Sequence, residues 1–499
     1  MIEYEQALDI CRNSPETAAR MLVELAELTG KIPGIEDRQH RLETENTRLR
    51  KRVDELEQQL AKNSRNSSKP PSTDGFKKPS PKSLRKKGQR NTGGQPGHPG
   101  HTLQMAENPD HTEHHRVEHC TCCGRSLANQ AAAGIEKRQV HDLPPVRLVV
   151  TEHRAESTRC SCGHLNKADF PEGVNAPVQY GPGVKAAAVY LKHYQFIPYD
   201  RTCELLSDLF GCPMSEGTLA TIISKSHELA AEPAEKIKTL IELAPVVHFD
   251  ETGSRVEGKR WWLHSASTAG ATYYDIHRKR GGEAIDEIGI LPDFKGRAIH
   301  DFWKSYFAYA CEHGLCNAHH LRELTFIHEQ YQQDWAERMI DCLVDMKEAV
   351  ERAKRTLLPL SETRIQAFET RYRRILDEGY AKNPLHSLPP NAKKKRGRRK
   401  KSKARNLLER LDQHHSEVLA FLYDFDVPFD NNLAERDIRM MKVQQKISGT
   451  FRSEEGAKAF CRIRSYISTA RKNAVGAMDA LTRLFDGNPF VPVPEFNPL

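Results

Sequence analysis

No apolar run in this sequence approaches the roughly 20 residues needed to span a bilayer, and mean hydropathy is −0.67. A helical membrane protein is excluded. A basic leader is missing too: Met1-Ile2-Glu3-Tyr4-Glu5-Gln6 carries acids where a secretory signal is positive, so a cytoplasmic protein is expected. Cysteine is too sparse for a disulfide scaffold, at 12 residues in 499. Five of the twelve cluster at 120–123 and 160–162, a pattern that reads as metal binding in a reducing compartment. Acidic residues are absent from 393–405, which hold ten Lys/Arg, and nearly absent from 63–100, with nine Lys/Arg and one Asp. The net charge is +8 overall while these two stretches carry +18, so the rest of the chain is about −10. Positive charge gathered in two such segments binds polyanions by counterion release, without reading sequence. The plainer reading is a solvated linker.

A chain of 499 residues exceeds one core, and composition divides it into several parts. Residues 1–62 predict N-terminal helices. After Pro33-Gly34, Ile35, Leu42, Leu49 and Leu56 recur every seven residues, with Gln39, Asn46, Val53 and Leu60 at the other core position. That is a short coiled coil, and a polar Asn46 inside it favours a parallel dimer. Residues 63–109, rich in Pro, Gly, Ser and Lys, read as a basic disordered linker. Residues 110–170 hold Cys120-Thr-Cys122-Cys123-Gly124 and Cys160-Ser-Cys162-Gly163-His164. Cys120, Cys123, Cys160 and Cys162 are the candidate tetrahedral Zn2+ ligands, with Cys122 or His164 as substitutes. Val140 to Val150 between them is rich in strand formers and predicts a hairpin. Free thiols are the alternative.

Residues 180–235 predict helices: Val184–His193, Asp200–Phe210, then a third capped by Ser215. Helix, short glycine turn, helix is the helix-turn-helix outline, with Thr218, Thr221, Ser224 and Lys225 as groove-facing candidates. Many helical hairpins share this outline without touching DNA. From 245 the pattern changes to strands at 246–250, 260–266, 271–276 and 297–301. Asp250 and Asp301 close the first and last of these, and Glu435 lies on a predicted helix. A single carboxylate after an apolar run is usually a strand end or a cap. Three such groups brought together would form an oxygen cage for divalent metal, the chemistry of phosphodiester cleavage. Three antiparallel strands, a fourth strand and then helices is the order of a ribonuclease H-like core, here at 240–320 and 426–475. A helical insertion at 321–425 carries the basic loop 393–405, and 476–499 form a tail. Arg436, Arg439, Lys442 and Lys446 recur at helical spacing as a DNA-facing or merely solvated stripe, and Asp430 reads as that helix's N-cap. Lys393, Lys394, Lys395, Arg396, Arg398 and Arg399 are further DNA-binding candidates. Cys316 and His319, three apart, are a second metal candidate, with core packing the commoner explanation. His248 and His264 are candidate supports for the carboxylates. Of Trp261 and Trp262, which point to opposite faces, one is core and the other a DNA contact.

Several phrases resemble the insertion-sequence-66 family of bacterial transposases, in order along nearly the whole chain. They are Asn66-Ser-Ser-Lys69-Pro-Pro, Tyr199-Asp-Arg201, Ser215-Glu-Gly217-Thr218, His248-Phe-Asp250-Glu-Thr252-Gly, Arg260-Trp-Trp262-Leu-His264, Gly314-Leu-Cys316-Asn-Ala-His319, Asp430-Asn-Asn-Leu-Ala-Glu435-Arg436 and Gly449-Thr-Phe-Arg452-Ser. The resemblance implies a multidomain α+β protein: coiled-coil leader, small zinc-finger-like module, helical DNA-binding segment, and a ribonuclease H-like mixed α/β catalytic core with a helical insertion. It implies Asp250, Asp301 and Glu435 as catalytic ligands of Mg2+, with Mn2+ as substitute. The substrate implied is double-stranded DNA, at the element's terminal inverted repeats and at a target. A homodimer or larger assembly, small accessory proteins of the same element and a bacterial, nucleoid-associated location are implied as well. The second cysteine pair departs from the pattern, being one residue short of a Cys-x-x-Cys. Two other classes remain: a non-catalytic zinc and coiled-coil DNA-binding regulator, and a ribonuclease H-like nuclease specific for DNA structure.

Overall fold

The computed structural model describes residues 4–63, 65–67, 103–143, 146–385 and 401–492, without side chains at 31–36. In chain order the elements are α1 (Tyr4–Asn13), α2 (Pro15–Leu60), β1 (Ser157–Arg159), β2 (Leu165–Lys167) and α3 (Pro182–Val189). A π-helical turn (Tyr190–Tyr194) leads to α4 (Tyr199–Phe210), α5 (Glu216–Leu229) and α6 (Ala231–Glu242). Then come β3 (Val246–Val256), β4 (Lys259–Ser267), β5 (Thr272–His277), α7 (Gly282–Ile288), β6 (Arg297–His300), a 3-10 turn (Lys304–Ala308) and β7 (Glu312–Leu315). Helices complete the chain: α8 (Asn317–Tyr331), α9 (Asp334–Thr356), α10 (Glu362–Lys382), α11 (Lys403–Gln413), α12 (His415–Val418), α13 (Ala420–Tyr423), α14 (Asn432–Ser448), α15 (Glu454–Lys472) and α16 (Ala477–Phe485). The protein is mixed α+β, mostly helical, with five strands besides the small β1–β2 pair.

The chain divides into two compact units that it enters more than once. One comprises Met1–Ser80, Arg297–Trp303 and Glu312–Asn431; the other comprises Pro81–Gly296, Lys304–Cys311 and Asn432–Leu499.

In the first unit, α8 to α13 pack around Trp335, Met339, Leu343, Leu376, Leu408 and Phe421, all buried. β6 and β7 pair in parallel, Ala298 opposite His313 and His300 opposite Leu315. Helix α2 runs unbroken through Pro33-Gly34, where the sequence predicted a division between two helices. Leu42, Leu49, Val53 and Leu56 along it are exposed. Its end is an ordered turn where a disordered linker was expected. Asn66 is buried; its side chain accepts from the Asn63 N–H (2.8 Å) and donates to the Ala61 carbonyl (3.0 Å). Gln58 accepts from Tyr331 of α8 (3.0 Å), and Arg65 pairs with Glu329. Residues 68–102 and the basic candidates Lys393, Lys394, Lys395, Arg396, Arg398 and Arg399 lie outside the described residues. The last part of the expected basic loop is helical: Ser402 caps α11 by accepting from the Arg405 N–H (3.0 Å). Glu409 neutralises Lys401 and Arg405 there.

The second unit is built on a meander, β3–β4–β5, all antiparallel. The β3–β4 turn is two residues, Glu257 (φ 52°) and Gly258 (φ 74°), as a type I′ hairpin requires. It is tighter than the gap left between the strands expected at 246–250 and 260–266. Beyond β5 lies α15 rather than another strand. Ser465 Oγ accepts the Tyr274 N–H (2.8 Å), and Thr469 Oγ1 accepts the Thr272 N–H (3.0 Å) and donates to the Thr272 carbonyl (3.2 Å). The strand's outer backbone groups are thereby satisfied by side chains. Helices α3, α4, α5, α15 and α16 share a core of Val189, Leu206, Leu219, Ile463, Tyr466 and Leu481. Gly296, just before β6, is closely surrounded. A Cβ there would stand 2.6 Å from the carbonyl oxygens of both Ala244 and Pro245. Backbone cannot yield as a side chain can, so Gly296→Ala is expected to cost about 3 kcal/mol, read as a lower urea midpoint at unchanged m.

Candidate functional site

Asp250 lies in the middle of β3, with Ser265 opposite it on β4. Its Oδ1 accepts the Glu251 N–H (2.9 Å) and its carbonyl accepts from Ser265 Oγ (3.2 Å). Side chains alternate along a strand, so Asp250, Thr252, Ser254 and Val256 share one face. Helix α14, which carries Glu435 in its first turn, packs on that face: Ser254 Oγ meets Met441 Sδ (3.6 Å), and Lys442 donates to the Gly253 carbonyl (2.6 Å). Asp437, one half-turn after Glu435, fixes the helix against β5. It binds Lys472 (2.7 Å) and Thr272 Oγ1 (3.0 Å), and its carbonyl accepts from Tyr274 (3.0 Å). The second unit thus brings Asp250 and the Glu435 helix onto one sheet face. In the first unit Asp301 directly follows β6. Its Oδ1 accepts the Trp303 N–H (2.9 Å), an Asx-type turn, beside His300, which is buried and bonded to His313 (3.0 Å). The carboxylates are hard oxygen donors, the type that suits Mg2+ or Mn2+.

The opposite face of the meander carries a row of polar groups that sequence reading missed: Glu251, His264 and Asp275, in register across the three strands. Glu251 is buried and bound by Arg280 (2.6 Å) and by the Tyr306 hydroxyl. Arg280 stacks 5.0 Å over Trp262, the half-buried one of the tryptophan pair, whereas Trp261 is core. His264, expected to support Asp250, belongs to this other face. Burial pushes its imidazole down to about 4, against a bond to the Lys279 carbonyl that raises it. Its folded pKa lies below the unfolded value near 6.5, so its contribution is complete above about pH 6.5 and lost as pH falls through about 4. A loss on the order of 2 kcal/mol is expected by about pH 5, and His264→Phe flattens that part of the urea-midpoint profile.

Four basic side chains of α14, Arg436, Arg439, Lys442 and Lys446, are all exposed. Helix α14 begins at Asn432, two residues after Asp430. Ser215 caps α5 as predicted, accepting the Thr218 N–H (3.1 Å). Thr221, Ser224 and Lys225 are exposed, Lys225 paired with Glu228 (2.9 Å), and Thr218 is half-buried. Cys316, the second metal candidate, is buried and accepts the Asn431 N–H (3.2 Å), while burial pushes His319 down to about 3.

The cysteine segments form two separate turns of like design. Gly124 (φ 72°) and Gly163 (φ 90°) adopt the left-handed conformation that lets each turn close. Backbone N–H groups of Cys123 and Cys122 point at the Cys120 sulfur and hold its pKa down; the Cys162 N–H does the same for Cys160. Donors aimed at sulfur favour thiolate, so both turns fit a zinc ligand pair. The expected hairpin at 140–150 is not there; residues 140–143 and 146–150 have no regular structure. The strands lie instead at β1 and β2, on either side of Cys160 and Cys162. No residue is buried among those described from 103 to 185.

Comparison with known families gives three matches. A family model described as Transposase IS66 family covers residues 177–459, more than half of the chain. One described as the zinc-finger binding domain of transposase IS66 covers 118–163, which contains all five clustered cysteines and supports Zn2+ binding. A family of unknown function, DUF6444, covers 12–104. None of the curated proteins compared matches the chain.

Proposed function

The chain belongs to the IS66 family of transposases, and from that premise we propose that it cleaves and joins DNA at the terminal inverted repeats of its own element. The observation that supports the reading is the packing of α14, the helix that carries Glu435, on the β3 face that bears Asp250. Asp250, Asp301 and Glu435 are the proposed carboxylate ligands. Held by them, Mg2+ or Mn2+ would supply the Lewis acidity that activates water or a 3′-hydroxyl and stabilises the leaving oxygen. The exposed Arg436, Arg439, Lys442 and Lys446 hold backbone phosphates beside that surface. Thr218 and Lys225 on α5, the cysteine module and the basic stretch at 393–399 contribute further DNA contacts. The core takes the ribonuclease H-like arrangement. The exposed heptad residues of α2 pair with a second copy as a coiled coil, giving a homodimer or larger assembly that acts with small accessory proteins of the element. The site of action is the bacterial cytoplasm, at the nucleoid. No helix among the described residues is long and apolar enough to cross a membrane.

The test is strand cleavage of a duplex carrying the element end, with Mg2+, Mn2+ or no divalent ion. Nicking at the repeat boundary only with a divalent ion is expected. Cutting of branched DNA in preference to the repeat end would replace the reading with a structure-specific nuclease.

A further inference from the structure

Two phrases of the resemblance, Tyr199-Asp-Arg201 and Gly449-Thr-Phe-Arg452-Ser, have no role in the proposed chemistry. They lie against the π-helical turn Tyr190–Tyr194 of the second unit. Such turns occur disproportionately at functional sites. The chain leaves this one through Phe196, a non-glycine residue at φ 64°, and enters α4 after Pro198. The bend sets Lys192 Nζ 5.0 Å over the Tyr199 ring.

The other phrase is clamped by Phe451. Its N–H donates to the Arg255 carbonyl (3.1 Å), its carbonyl accepts the Glu257 N–H (2.9 Å), and its ring meets Phe460 (5.2 Å). Phe460 in turn touches His193 (5.7 Å) and Phe196 (6.2 Å). Arg452 is thereby fixed beside the turn, close enough for its charge to act on both Lys192 and Tyr199.

Two more cations lie behind. Arg464 is 7% exposed and 5.3 Å from both the Tyr194 and Phe196 rings, and its Nε and Nη1 lack hydrogen-bond partners. Arg471 stands 5.2 Å over Tyr194. Among the described residues none of these four cations is in an ion pair. The acids that act on the cluster are Glu216, felt by Tyr199, and Asp437, felt by Arg464 but taken by Lys472. Burial, and then Arg452, push Lys192 down to about 8, so it is still largely protonated near neutral pH. Like charges gathered with no carboxylate bound to any of them are costly unless an anion arrives from outside. Lysine and arginine beside aromatic rings are the groups that hold a nucleic-acid backbone.

We infer that Lys192 and Arg452 form a seat for a backbone phosphate of DNA, with Arg464 and Arg471 adding positive potential from behind. The identity of the anion rests on the DNA-acting reading above; the seat itself needs no carboxylate and no divalent ion.

The experiment is binding of the full chain to a random-sequence duplex, without divalent ion, over a series of salt concentrations. The slope of log affinity against log salt is expected to fall by about 1 in Lys192→Gln and in Arg452→Gln, and by about 2 in the double variant. Arg452→Lys should keep most of the slope. An unchanged slope in a double variant that melts like the parent overturns the seat. A second measurement needs no substitution: acylation of Lys192 in the parent protein, mapped by mass spectrometry. Protection by the duplex supports the inference, and equal labelling with and without duplex sinks it. A parent protein that binds duplex in this way yet cleaves no element end with Mg2+ or Mn2+ would count against the proposed catalysis and leave the seat standing.

Discussion

Asp250→Asn, Asp301→Asn and Glu435→Gln should each lower metal-dependent strand cleavage by roughly 10³-fold or more, while duplex affinity changes little. An amide keeps the size of the carboxylate but loses the charge that binds a hard cation. Asp250 is especially diagnostic, because its contacts to the Glu251 N–H and Ser265 sit on a strand that Asn can also occupy. Folding should therefore survive, and thermal midpoints of the three variants should match the parent. Uniform retention of cleavage would remove the enzyme reading and leave a DNA-binding regulator. Loss in only one variant would mean that the other two carboxylates are strand and helix residues without catalytic work.

Zinc removal should have the second large effect. The described residues from 103 to 185 contribute nothing buried, so this segment has no apolar core to hold it. Its pairing is limited to the three-residue strands β1 and β2. Structural zinc contributes about 10–16 kcal/mol of apparent binding energy in comparable small modules. The purified protein should contain about one zinc per chain, as four thiolates require. Chelation should make 118–163 the first region cut by protease while the helical core of the second unit stays resistant. Cys120→Ser and Cys160→Ser should each abolish the metal, whereas Cys122→Ser tests whether that residue is a spare. Full zinc content in both Cys120→Ser and Cys160→Ser would dismiss the four-cysteine assignment.

Much of the meander could be read from the sequence, because the short runs at 246–250 and 260–266 are rich in strand formers, although β3 runs on to Val256 where a turn was expected. Ser215 as a cap and the helix around Glu435 were equally plain, since each rests on local chemistry. What escaped depends on partners distant in the chain. β7 is only four residues, Glu312–Leu315, and becomes a strand by pairing with β6. The polar row Glu251–His264–Asp275 exists only through strand register. Val140, Val149 and Val150 have strand-forming side chains but remain exposed, with nothing to pair against. Pro33-Gly34 looked like a boundary, yet α2 continues through it. The Lys192–Arg452 cluster left only one trace, phrases of the resemblance with no catalytic duty.

The sealing of β5 by Ser465 and Thr469 has a consequence for synthesis. The groups that close the strand at Tyr274 and Thr272 are made 191 and 197 residues after it. At about 5–20 residues per second, a ribosome takes on the order of ten seconds or more to cover that distance. During that interval a nascent chain presents an open β-ribbon, able to recruit a neighbour on the same message. Chains interrupted before α15 should therefore clump rather than persist as a soluble fragment.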